Sequence, residues 1–257
     1  MSTLLAIERR KLFLDTINQQ GIATVAALAQ LGNVTEETVR RDLLMLEQEG
    51  HVIKTHGGAV PNESRLGDIS AEIRQNMNLP LKNKIAASAA NLVRPGDTIF
   101  LDASTTALCL SKSLKKIREV RVITNSLPII NELSHHPDIK LVGIGGQMSH
   151  SNQSFIGDTA LNMIQDNYYA SKVFFSCRGL SEEGDLFESD EAETAIKRTM
   201  LRCSTERIML CDSTKFGRIG HVKLGNLEKI STIITDRIPD IRWKRLLEEY
   251  HIRIVYC

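Results

Sequence analysis

Two adjacent arginines on a short amphipathic stretch are the residues whose types and spacing best suit the recognition of another molecule. They lie in Thr35–Leu43, which reads Thr-Glu-Glu-Thr-Val-Arg-Arg-Asp-Leu. Val39 and Leu43 are spaced as on one face of a helix, so that face is predicted to pack on a core and to leave Arg40 and Arg41 outside it. A helix with arginines near its leading end can enter the major groove of DNA, but a solvated helix face explains the same charges equally well.

The start of this helix is also marked by its residue types. The Thr35 hydroxyl can accept a hydrogen bond from an unpaired first-turn amide, and the positive end of the helix dipole favours the two glutamates that follow. Short polar side chains therefore accompany the arginines at the leading end. The candidate DNA contacts in this stretch are Thr35, Glu37, Thr38, Arg40 and Arg41.

The elements that would position this helix lie directly before it. Apolar periodicity predicts a first helix over Glu8–Gln19. A second helix is predicted to begin after Thr24 and to run through Leu31, and Gly32-Asn33 supplies a tight turn. Two short helices joined by such a turn, the second carrying the arginines, form a helix-turn-helix. The residues expected on the inner side of the first helix are Ile7, Phe13, Leu14 and Ile17.

Two brief extended segments follow and are predicted to pair as a small β-hairpin. His51–His56 and Gly57–Val60 meet at a polar, glycine-rich turn, which is typical of the wing of a winged helix. Lys54 and His56 alternate with apolar Ile53 and are candidate contacts with phosphate or with the minor groove. Contacts of this kind position a protein on DNA and do not read the base sequence.

The span Glu8–Val60 combines motifs that belong to a known protein family. Its recognition stretch reads Thr-Val-Arg-Arg-Asp-Leu at Thr38–Leu43, and its wing reads His-Gly-Gly-Ala at His56–Ala59. On these motifs the span resembles the N-terminal domain of the DeoR family of bacterial transcriptional regulators. The resemblance implies that the two arginines contact DNA. Asn33 stands where the family more often has glycine, and because Asn tolerates a positive φ the turn is expected to persist.

Composition describes an ordinary folded protein and does not by itself announce a nucleic-acid partner. The 257 residues are 42% hydrophobic and 25% charged, and the formal net charge is +1. The first sixty residues hold six Lys or Arg against seven Asp or Glu. Any DNA-binding surface must therefore depend on the placement of a few cations rather than on overall basicity.

The cysteine, histidine and hydropathy patterns indicate in which compartment the protein is expected and whether a metal site is expected. Five cysteines at irregular spacing form no Cys-x-x-Cys pair, so reduced thiols in a cytoplasmic protein are expected. The seven histidines show no metal-binding spacing, and neither a metal nor a cofactor is expected. The apolar run Leu4–Ile7 is too short for a signal peptide or a membrane span. The protein is expected to stay in the cytoplasm without a membrane partner.

The chain changes character after the hairpin. Pro61–Asp68 is polar and lacks an apolar stripe, so a linker is expected at 61–76, between a DNA-binding domain at 1–60 and a larger domain at 77–257. Beyond it, short β-branched strands alternate with helical segments, which favours an open α/β fold with ligands at the carboxyl ends of its strands. The predicted strands are Thr98–Leu101, Val120–Thr124, Lys140–Ile144, Lys172–Phe175, Arg207–Cys211, Thr232–Thr235 and Arg253–Val255.

Polar clusters follow three of these strands, where the fold predicts a ligand. Asp102–Thr106 leads into a helix whose first amides, together with the hydroxyls, could hold a phosphate, although Ser and Thr are also common as simple caps. Thr124-Asn125-Ser126 and Asp212–Arg218 end two further strands. Asp212 and Lys215 could bind sugar hydroxyls and phosphate. Three strand ends of like chemistry are a stronger indication than any one of them.

The larger domain resembles the effector-binding domain of the same family, which is related to ribose-5-phosphate isomerase-like enzymes. The residues that carry this resemblance include Asp102–Thr106, Gly145-Gly146, Glu191 with Lys197, and Asp212–Gly217. It implies a sensor for a phosphorylated sugar or sugar derivative. Arg178 is a departure, because it stands where relatives tend to have an aspartate and reverses a charge near the pocket. The candidate effector-binding residues are Asp102, Ser104, Thr105, Thr106, Thr124, Asn125, Gly146, Arg178, Glu191, Asp212 and Lys215.

The function predicted from the whole chain is a DNA-binding regulator, a repressor of a carbohydrate-utilisation operon that a phosphorylated sugar releases from its operator. A homo-oligomer, dimer or tetramer, is expected because proteins that bind repeated half-sites are usually symmetric. The alternative is a sugar-phosphate isomerase with an appended DNA-binding domain. That reaction needs a base and an acid, for which Asp102, Asp212 and Lys215 are candidates, but Arg178 occupies a place where an acid would help. A third alternative is a DNA-binding protein without a ligand.

Overall fold

Helices dominate the first part of the chain and parallel strands dominate the rest. The computed structural model describes residues 5–20, 23–55, 57–61, 71–115 and 117–257. The chain divides into two units, Met1–Leu79 and Pro80–Cys257. Each unit is organised around a hydrophobic core of its own.

The N-terminal unit contains the predicted helix-turn-helix and its hairpin. Its elements are α1 (Ala6–Gln20), β1 (Ala23–Thr24), α2 (Val25–Gly32), α3 (Glu36–Gln48), β2 (Val52–Thr55), β3 (Gly58–Pro61) and α4 (Ala71–Asn76). Strands β2 and β3 pair antiparallel, and β1 joins the other edge of β3 to make a three-stranded sheet. Helix α4 lies in the segment that the sequence predicts to be a linker.

The core of this unit confirms the predicted apolar stripe of α3. Val39 and Leu43 are 0% and 1% exposed and pack with Phe13 and Ile17 of α1. Ile7 was expected on the same inner side, and that expectation is wrong, since its side chain is 74% exposed. Helical geometry gives the reason, because six residues rotate Ile7 about 120° away from Phe13.

One ion pair is buried between α1 and α3. Arg9 Nε and Asp42 Oδ2 are 2.6 Å apart, and the two side chains are 11% and 7% exposed. A charge taken out of water is costly unless an opposite charge meets it, so each side chain makes the burial of the other tolerable. The aspartate of the Arg-Arg-Asp motif therefore faces inward and joins the two helices.

Replacing Asp42 by alanine should leave the Arg9 charge buried without this carboxylate and should destabilise the N-terminal unit by about 3 kcal/mol. Replacing both partners by apolar residues, Arg9→Met with Asp42→Leu, should restore most of that loss because neither charge is then buried. Amide hydrogen exchange of α1 and α3 in the full-length variants measures the free energy of local opening. Equal destabilisation in the single and double variants would contradict this account of the pair.

The second unit alternates helices and strands, as the sequence predicts for an α/β fold. Its helices are α5 (Leu79–Ala90), α6 (Thr105–Leu114), α7 (Leu127–Leu133), α8 (Asp158–Asn167), α9 (Glu191–Arg202) and α10 (Ile241–Glu249). Its strands are β4 (Thr98–Leu101), β5 (Val120–Thr124), β6 (Ile139–Gly143), β7 (Gln147–Ser149), β8 (Ser154–Ile156), β9 (Ala170–Phe175), β10 (Gly179–Leu180), β11 (Asp185–Glu188), β12 (Ser204–Leu210), β13 (Val222–Asn226), β14 (Thr232–Thr235) and β15 (Arg253–Tyr256).

Seven parallel strands form the main sheet, in the order β15-β14-β12-β9-β4-β5-β6. They correspond to the seven strands predicted from the sequence. The chain moves outward from β4 through β5 to β6, and then from β9 in the opposite direction to β15. The order reverses between β4 and β9, and the crevice at the carboxyl ends of such a switch point is where open α/β sheets bind ligands.

The central strands are covered on both faces. Phe100 of β4 and Phe174 and Phe175 of β9 are fully buried, as expected when helices pack on both sides of a parallel sheet. Two smaller sheets, β7-β8 and β10-β11-β13, were not predicted. Their strands are only two to five residues long, so they show too little alternation to be recognised.

Candidate functional site

Helix α3 begins as predicted, with Thr35 as its cap. The Thr35 hydroxyl accepts a hydrogen bond from the Thr38 amide at 3.3 Å and lies 3.0 Å from the Thr38 hydroxyl. Asn33 in the preceding turn has φ 48° and ψ 49°, a left-handed conformation that Asn tolerates better than most residues. The turn therefore forms without glycine, and the Thr35 side chain orders the leading end of the helix.

The two arginines of α3 differ in their partners. Arg40 Nη2 lies 2.7 Å from Oε2 of Glu36, and its Nη1 lies 3.8 Å from Oε2 of Glu37. The Arg41 side chain is exposed and forms no ion pair or hydrogen bond within the part of the chain that the structure describes. An exposed pair one helical turn apart contributes only about 0.3–0.5 kcal/mol. Arg40 can therefore exchange its glutamates for a phosphate, and Arg41 has its donors available at once.

The hairpin is held close to both neighbouring elements. A Cβ atom on Gly58 would lie 2.0 Å from the carbonyl oxygen of Ala23, which explains the glycine at this position of the wing motif. The backbone amide of Lys54 donates to Oε1 of Glu47 at 2.9 Å and so ties β2 to α3. The Lys54 side chain is exposed. His56, the other candidate in the wing, lies outside the described residues.

In the second unit, two buried charges and one partly buried charge meet at the switch point between β4 and β9. Asp102, directly after β4, is 2% exposed. Its Oδ2 lies 3.0 Å from Lys197 Nζ and accepts a hydrogen bond from the Ser176 amide at 3.0 Å. Lys197 Nζ also donates to the Ser176 carbonyl oxygen at 2.5 Å and to Oε1 of Glu188. All three N–H groups of the ammonium therefore have acceptors.

The charge of Lys197 holds this cluster together. Burial by itself would lower the pKa of Lys197, but the carboxylates of Glu188 and Asp102 outweigh that effect and raise its pKa above the usual value. The ammonium therefore stays protonated between the two carboxylates. Because its donors are occupied, Lys197 joins β4, β9, β11 and α9 and has little capacity left for a ligand.

Lys215 is a cation of this region that keeps part of its hydrogen-bonding capacity unused. Its Nζ donates to the Ser176 hydroxyl at 2.5 Å, and the Asp212 carboxylate lies 3.9 Å away. Its side chain is 16% exposed. The Ser176 hydroxyl in turn donates to the carbonyl oxygen of Leu210 at 2.5 Å. Lys215 thus reaches the carboxyl end of β9 with at least one N–H group available for an anion.

The loop that presents Lys215 is ordered by two carboxylates. Oδ1 of Asp212 accepts hydrogen bonds from the amide of Thr214, at 3.1 Å, and from its hydroxyl. The Asp236 carboxylate accepts hydrogen bonds from the amide and the hydroxyl of Ser213, at 2.7 and 2.8 Å. Asp212 is 2% exposed. Because both carboxylates accept hydrogen bonds from residues of the loop, they fix its conformation.

Hydroxyl groups surround the N-terminus of α6. The Ser104 hydroxyl accepts a hydrogen bond from the Ala107 amide at 3.1 Å and donates to Oδ1 of Asp102 at 2.6 Å. Thr105 and Thr106 form the first turn and are 8% and 1% exposed. The first-turn amides and the positive end of the helix dipole favour an anion at this point.

The end of β5 contains a buried acceptor without a donor. Asn125 is 1% exposed, and its Nδ2 donates to the Phe155 carbonyl oxygen at 3.1 Å, whereas no described residue donates to its Oδ1. The neighbouring Thr124 hydroxyl accepts the Ser126 amide at 3.1 Å. A buried acceptor left unpaired costs about 1–3 kcal/mol. Oδ1 of Asn125 is therefore suited to receive a hydroxyl group of a ligand.

The remaining effector-binding candidates from the sequence differ in how far they are buried. A Cβ atom on Gly146, which has φ 156°, would lie 2.6 Å from the carbonyl oxygen of Ile156, so this turn requires glycine. Arg178 is half-buried after β9. Glu191 was expected to be the acidic residue that faces the pocket, but it is exposed at the start of α9. From this segment Glu188 and Glu193 reach the buried groups instead.

Helical spacing explains the difference between these glutamates. Glu193 lies four residues before Lys197 and so shares its face of α9, whereas Glu191 lies six residues before it and points elsewhere. That spacing was visible in the sequence. Ser176 and Glu188 carried no such signal, because their roles depend on where β9 and β11 end.

Glu193 connects α9 to the β7-β8 hairpin. Its Oε1 accepts a hydrogen bond from the buried hydroxyl of Ser154 in β8. Burial raises the pKa of Glu193 to about 7, the charges of Asp190 and Glu188 add to the rise, and the Ser154 hydroxyl and Lys197 oppose it. The carboxyl group therefore changes its protonation near neutral pH.

Neither a metal centre nor a membrane span emerges from the described part of the chain. Among those residues no group of three or more His, Cys, Asp or Glu could hold a metal ion. None of the described helices is long and apolar enough to cross a membrane.

Two family models match the chain. The DeoR-like helix-turn-helix domain matches residues 9–65, and the DeoR C terminal sensor domain matches residues 77–237. The chain belongs to the DeoR family. The predicted order of a helix-turn-helix domain and an α/β sensor domain is thereby confirmed.

Two similar regulators cover nearly the whole chain, and a similar solved structure covers about half of it. The L-fucose operon activator of Haemophilus influenzae is 35% identical and covers 96% of this chain and 98% of its own. An uncharacterised HTH-type transcriptional regulator of Bacillus subtilis, YulB, is 34% identical over 98% of this chain and 96% of its own. A solved ribose 5-phosphate isomerase from Methanocaldococcus jannaschii is 20% identical over 54% of this chain and 55% of that chain, with a TM-score of 0.40. This DeoR-family protein is a DNA-binding transcriptional regulator.

Replacing Arg41 by alanine should weaken binding to specific DNA by a factor of about 10–100, because a bidentate arginine–base contact contributes about 1–3 kcal/mol. The side chain is exposed and has no partner among the described residues, so the unfolding transition should not change. A mobility-shift titration measures the affinity, on DNA that the wild-type protein selects from a random-sequence library.

Lys11→Ala is the matched control, since Lys11 is an exposed cation of the same unit on α1. Its loss removes one charge and leaves α3 intact. Undiminished binding by Arg41→Ala, or an equal loss in Lys11→Ala, would remove the recognition role from α3.

Replacing Glu193 by glutamine should stabilise the second unit above neutral pH by about 3 kcal/mol. The folded state raises the pKa of Glu193 from 4.5 to about 7 and therefore binds more protons than the unfolded state between these values. Wild-type stability from this group is present at low pH and declines as pH rises through the folded pKa. Glutamine keeps an acceptor for the Ser154 hydroxyl and does not ionise. Urea unfolding at pH 5 and pH 8.5 should show the variant's advantage only at the higher pH.

Proposed function

We propose that this DeoR-family regulator represses a carbohydrate-utilisation operon and leaves its operator when a phosphorylated sugar or sugar derivative binds the second unit. The observation that carries the proposal is the set of polar groups at the carboxyl ends of the neighbouring strands β5, β4, β9 and β12. The α6 N-terminus and Lys215 suit a phosphate, and Oδ1 of Asn125 suits a hydroxyl group. A sugar phosphate carries both groups.

The names of similar proteins support the same class of effector. One is the L-fucose operon activator already described, and another is the glycerol-3-phosphate regulon repressor of Escherichia coli, which is 26% identical over 97% of this chain. The first name refers to a sugar and the second to a phosphorylated polyol. The first is named an activator and the second a repressor, and the second name agrees with the repression proposed for this protein.

Individual residues are proposed for each part of the effector. Ser104, Thr105 and Thr106 with the first-turn amides of α6 hold the phosphate, and Lys215 neutralises it. Asp102 orders Ser104 and Lys197 rather than meeting the ligand alone, and Thr124 and Asp212 likewise shape their loops. Arg178 adds a second cation after β9, which favours an effector with more than one anionic group.

The DNA contacts are proposed for the leading end of α3 and for the wing. Thr38, Arg40 and Arg41 face the major groove, with Glu37 beside them, while Thr35 caps the helix. Lys54 and His56 contact the DNA backbone. The functional domains are proposed at 1–60 and 77–257, joined by a linker at 61–76. Operator DNA is reached in the cytoplasm, which is the proposed compartment.

The second unit acts as a sensor rather than as an isomerase in this proposal. Isomerisation of a sugar phosphate needs a base and an acid that can exchange protons at neighbouring carbons. Oδ2 of Asp102 is occupied by the Ser176 amide and Lys197, and Oδ1 of Asp212 by Thr214. Carboxylates committed to these bonds are poorly placed to move a proton, and this supports a binding role.

Repression and release are coupled through the protein's two states. The effector can displace the operator only by as much as it binds the DNA-free state more tightly than the DNA-bound state. Such coupling is commonly about 5–150-fold. A symmetric homo-oligomer, at least a dimer, is proposed because paired half-sites require paired recognition helices.

A panel of phosphosugars tests the proposal by thermal shift and by mobility shift on the selected DNA. One member should raise the melting temperature of the second unit and weaken DNA binding by about tenfold. Lys215→Gln should lose both responses, because the phosphate then lacks its cation, while binding DNA normally without effector. Lys244→Gln, which removes an exposed cation from α10, should retain both.

Three outcomes would contradict this function. Turnover of a phosphosugar at an enzymatic rate would favour the isomerase alternative. Absence of any thermal response to the panel would favour a DNA-binding protein without a ligand. A response that Lys215→Gln retains would place the effector elsewhere in the chain.

A further inference from the structure

The first turn of α9 lies at the same edge of the sheet as the proposed effector site. Lys197, in the middle of α9, contacts Asp102 after β4 and Ser176 after β9. From there the helix runs on to its last residue, directly before the amino end of β12. Its first turn must therefore extend beyond the carboxyl ends of the strands. Glu193 lies in that turn, four residues before Lys197 and on the same face of the helix.

Strand β8 connects Glu193 to the end of β5. The Phe155 amide donates to the Asn125 carbonyl oxygen at 2.8 Å, and Nδ2 of Asn125 donates to the Phe155 carbonyl oxygen at 3.1 Å. The hydroxyl of Ser154, the preceding residue, donates to Oε1 of Glu193. Glu193 and Asn125 therefore contact neighbouring residues of one short strand, which places them close to each other beside the switch point.

Both side chains keep an acceptor atom to which no described residue donates. Asn125 is 1% exposed, and its Oδ1 has no donor in the described part of the chain. Oε1 of Glu193 accepts the Ser154 hydroxyl, whereas its Oε2 has no donor among the described residues. Because a buried acceptor is costly to leave unpaired, a ligand at this position is expected to bring donors rather than acceptors.

The charges that act on Glu193 are mostly negative. The carboxylates of Glu188 and Asp190 raise its pKa, and Lys197 is the cation that opposes them. The β7-β8 hairpin that packs on Glu193 carries no Asp, Glu, Lys or Arg, and its His150 is exposed in the turn. Lys197 is itself held by two other carboxylates. A cation beside Glu193 would therefore relieve the repulsion between the acidic groups.

The proposed effector site thus has two parts of opposite charge. The α6 N-terminus and Lys215 favour an anion, whereas residues 182–193, which lead into α9, hold seven Asp or Glu and no Lys or Arg. A hydroxyl group would satisfy an unpaired acceptor and leave the excess of negative charge. An ammonium group would both donate hydrogen bonds and neutralise a carboxylate.

We propose that the effector carries a primary ammonium group in addition to its phosphate, and that the Glu193 carboxylate binds this group beside Oδ1 of Asn125. The ligand class is a phosphorylated amino sugar, and the inference rests on the phosphosugar sensing proposed above. An ammonium group has three N–H donors, enough for both of these acceptors. Glu193 is then a specificity-determining residue that selects the amine, while the phosphate is held at α6 and Lys215.

Matched pairs of phosphosugars test this proposal by calorimetric titration of the full-length protein. The members of each pair differ only in an amino or a hydroxyl group at carbon 2, as glucosamine 6-phosphate and glucose 6-phosphate do, and the galacto and manno pairs complete the set. At pH 7.5 the amino member of one pair should bind about tenfold more tightly, because a hydrogen bond between charged groups is roughly twice as strong as a neutral one. N-Acetylation removes the positive charge and should abolish the advantage.

Glu193→Gln should lose the preference for the amine, because glutamine can accept the Ser154 hydroxyl but carries no charge. Glu191→Gln is the matched control, since it removes an exposed carboxylate from the same turn of α9, and it should keep the preference.

The preference of the wild-type protein should also depend on pH. The ammonium binds the ionised carboxyl group, which becomes scarce as pH falls below the Glu193 pKa of about 7. The ratio of the two affinities should therefore decline about fivefold between pH 7.5 and pH 6, and it should stay constant in Glu193→Gln. Taking the ratio removes the second ionisation of the phosphate, which both members share.

The outcomes separate this inference from the function on which it rests. Equal or tighter binding of the hydroxyl members by the wild-type protein would overturn the ammonium site and leave phosphosugar sensing intact. A preference that Glu193→Gln retains, or that Glu191→Gln loses equally, would overturn the role of Glu193. No response to any phosphosugar, in these pairs or in the wider panel, would overturn the proposed function and this inference together.

Discussion

The buried ammonium of Lys197 is the constraint on which the second unit depends. It lies between the carboxylates of Asp102 and Glu188 and donates to the Ser176 carbonyl oxygen. A cation removed from water in this way is stable only while both carboxylates and the carbonyl remain in position. The cluster therefore fixes the end of β4, the chain after β9, the end of β11 and the middle of α9 relative to one another. It places rigid elements around the switch point and leaves the recognition chemistry to Lys215, Asn125 and the first turn of α6.

The N-terminal unit uses a few charged residues both to hold its helices together and to present side chains to DNA. Its acidic and basic residues nearly balance, so its overall electrostatic attraction to DNA is weak. Binding therefore depends on where its few cations lie rather than on how many there are. Asp42 turns inward to meet Arg9, while Arg41, its neighbour in sequence, turns outward without a described partner. Arg40 lies between these extremes, loosely paired with Glu36. The Arg-Arg-Asp motif thus supplies both a buried ion-pair partner and exposed side chains that can contact DNA.

A carboxyl group that titrates near neutral pH joins helix α9 to the β7-β8 hairpin. Glu193 accepts the Ser154 hydroxyl, and its pKa of about 7 places its ionisation in the physiological range. Its partners are local, and the same helix carries Lys197 four residues later. The contact between α9 and the β7-β8 hairpin is therefore weaker when the carboxyl group must ionise, because a buried charge is then added beside Glu188 and Asp190.

The sequence by itself determined the order of the helices and strands and the positions of the polar residues that follow the strands. All seven strands of the main sheet, the caps at Thr35 and Ser104, and the inward stripe of α3 follow from local periodicity and from hydrogen bonds within a few residues. Only the tertiary structure decided which carboxylate meets which cation. Glu191 was the carboxylate expected from the sequence to face the pocket, yet Glu188 and Glu193 reach the buried groups. Such contacts depend on strand order and on where short strands stop, and these are set by packing between residues far apart in the chain.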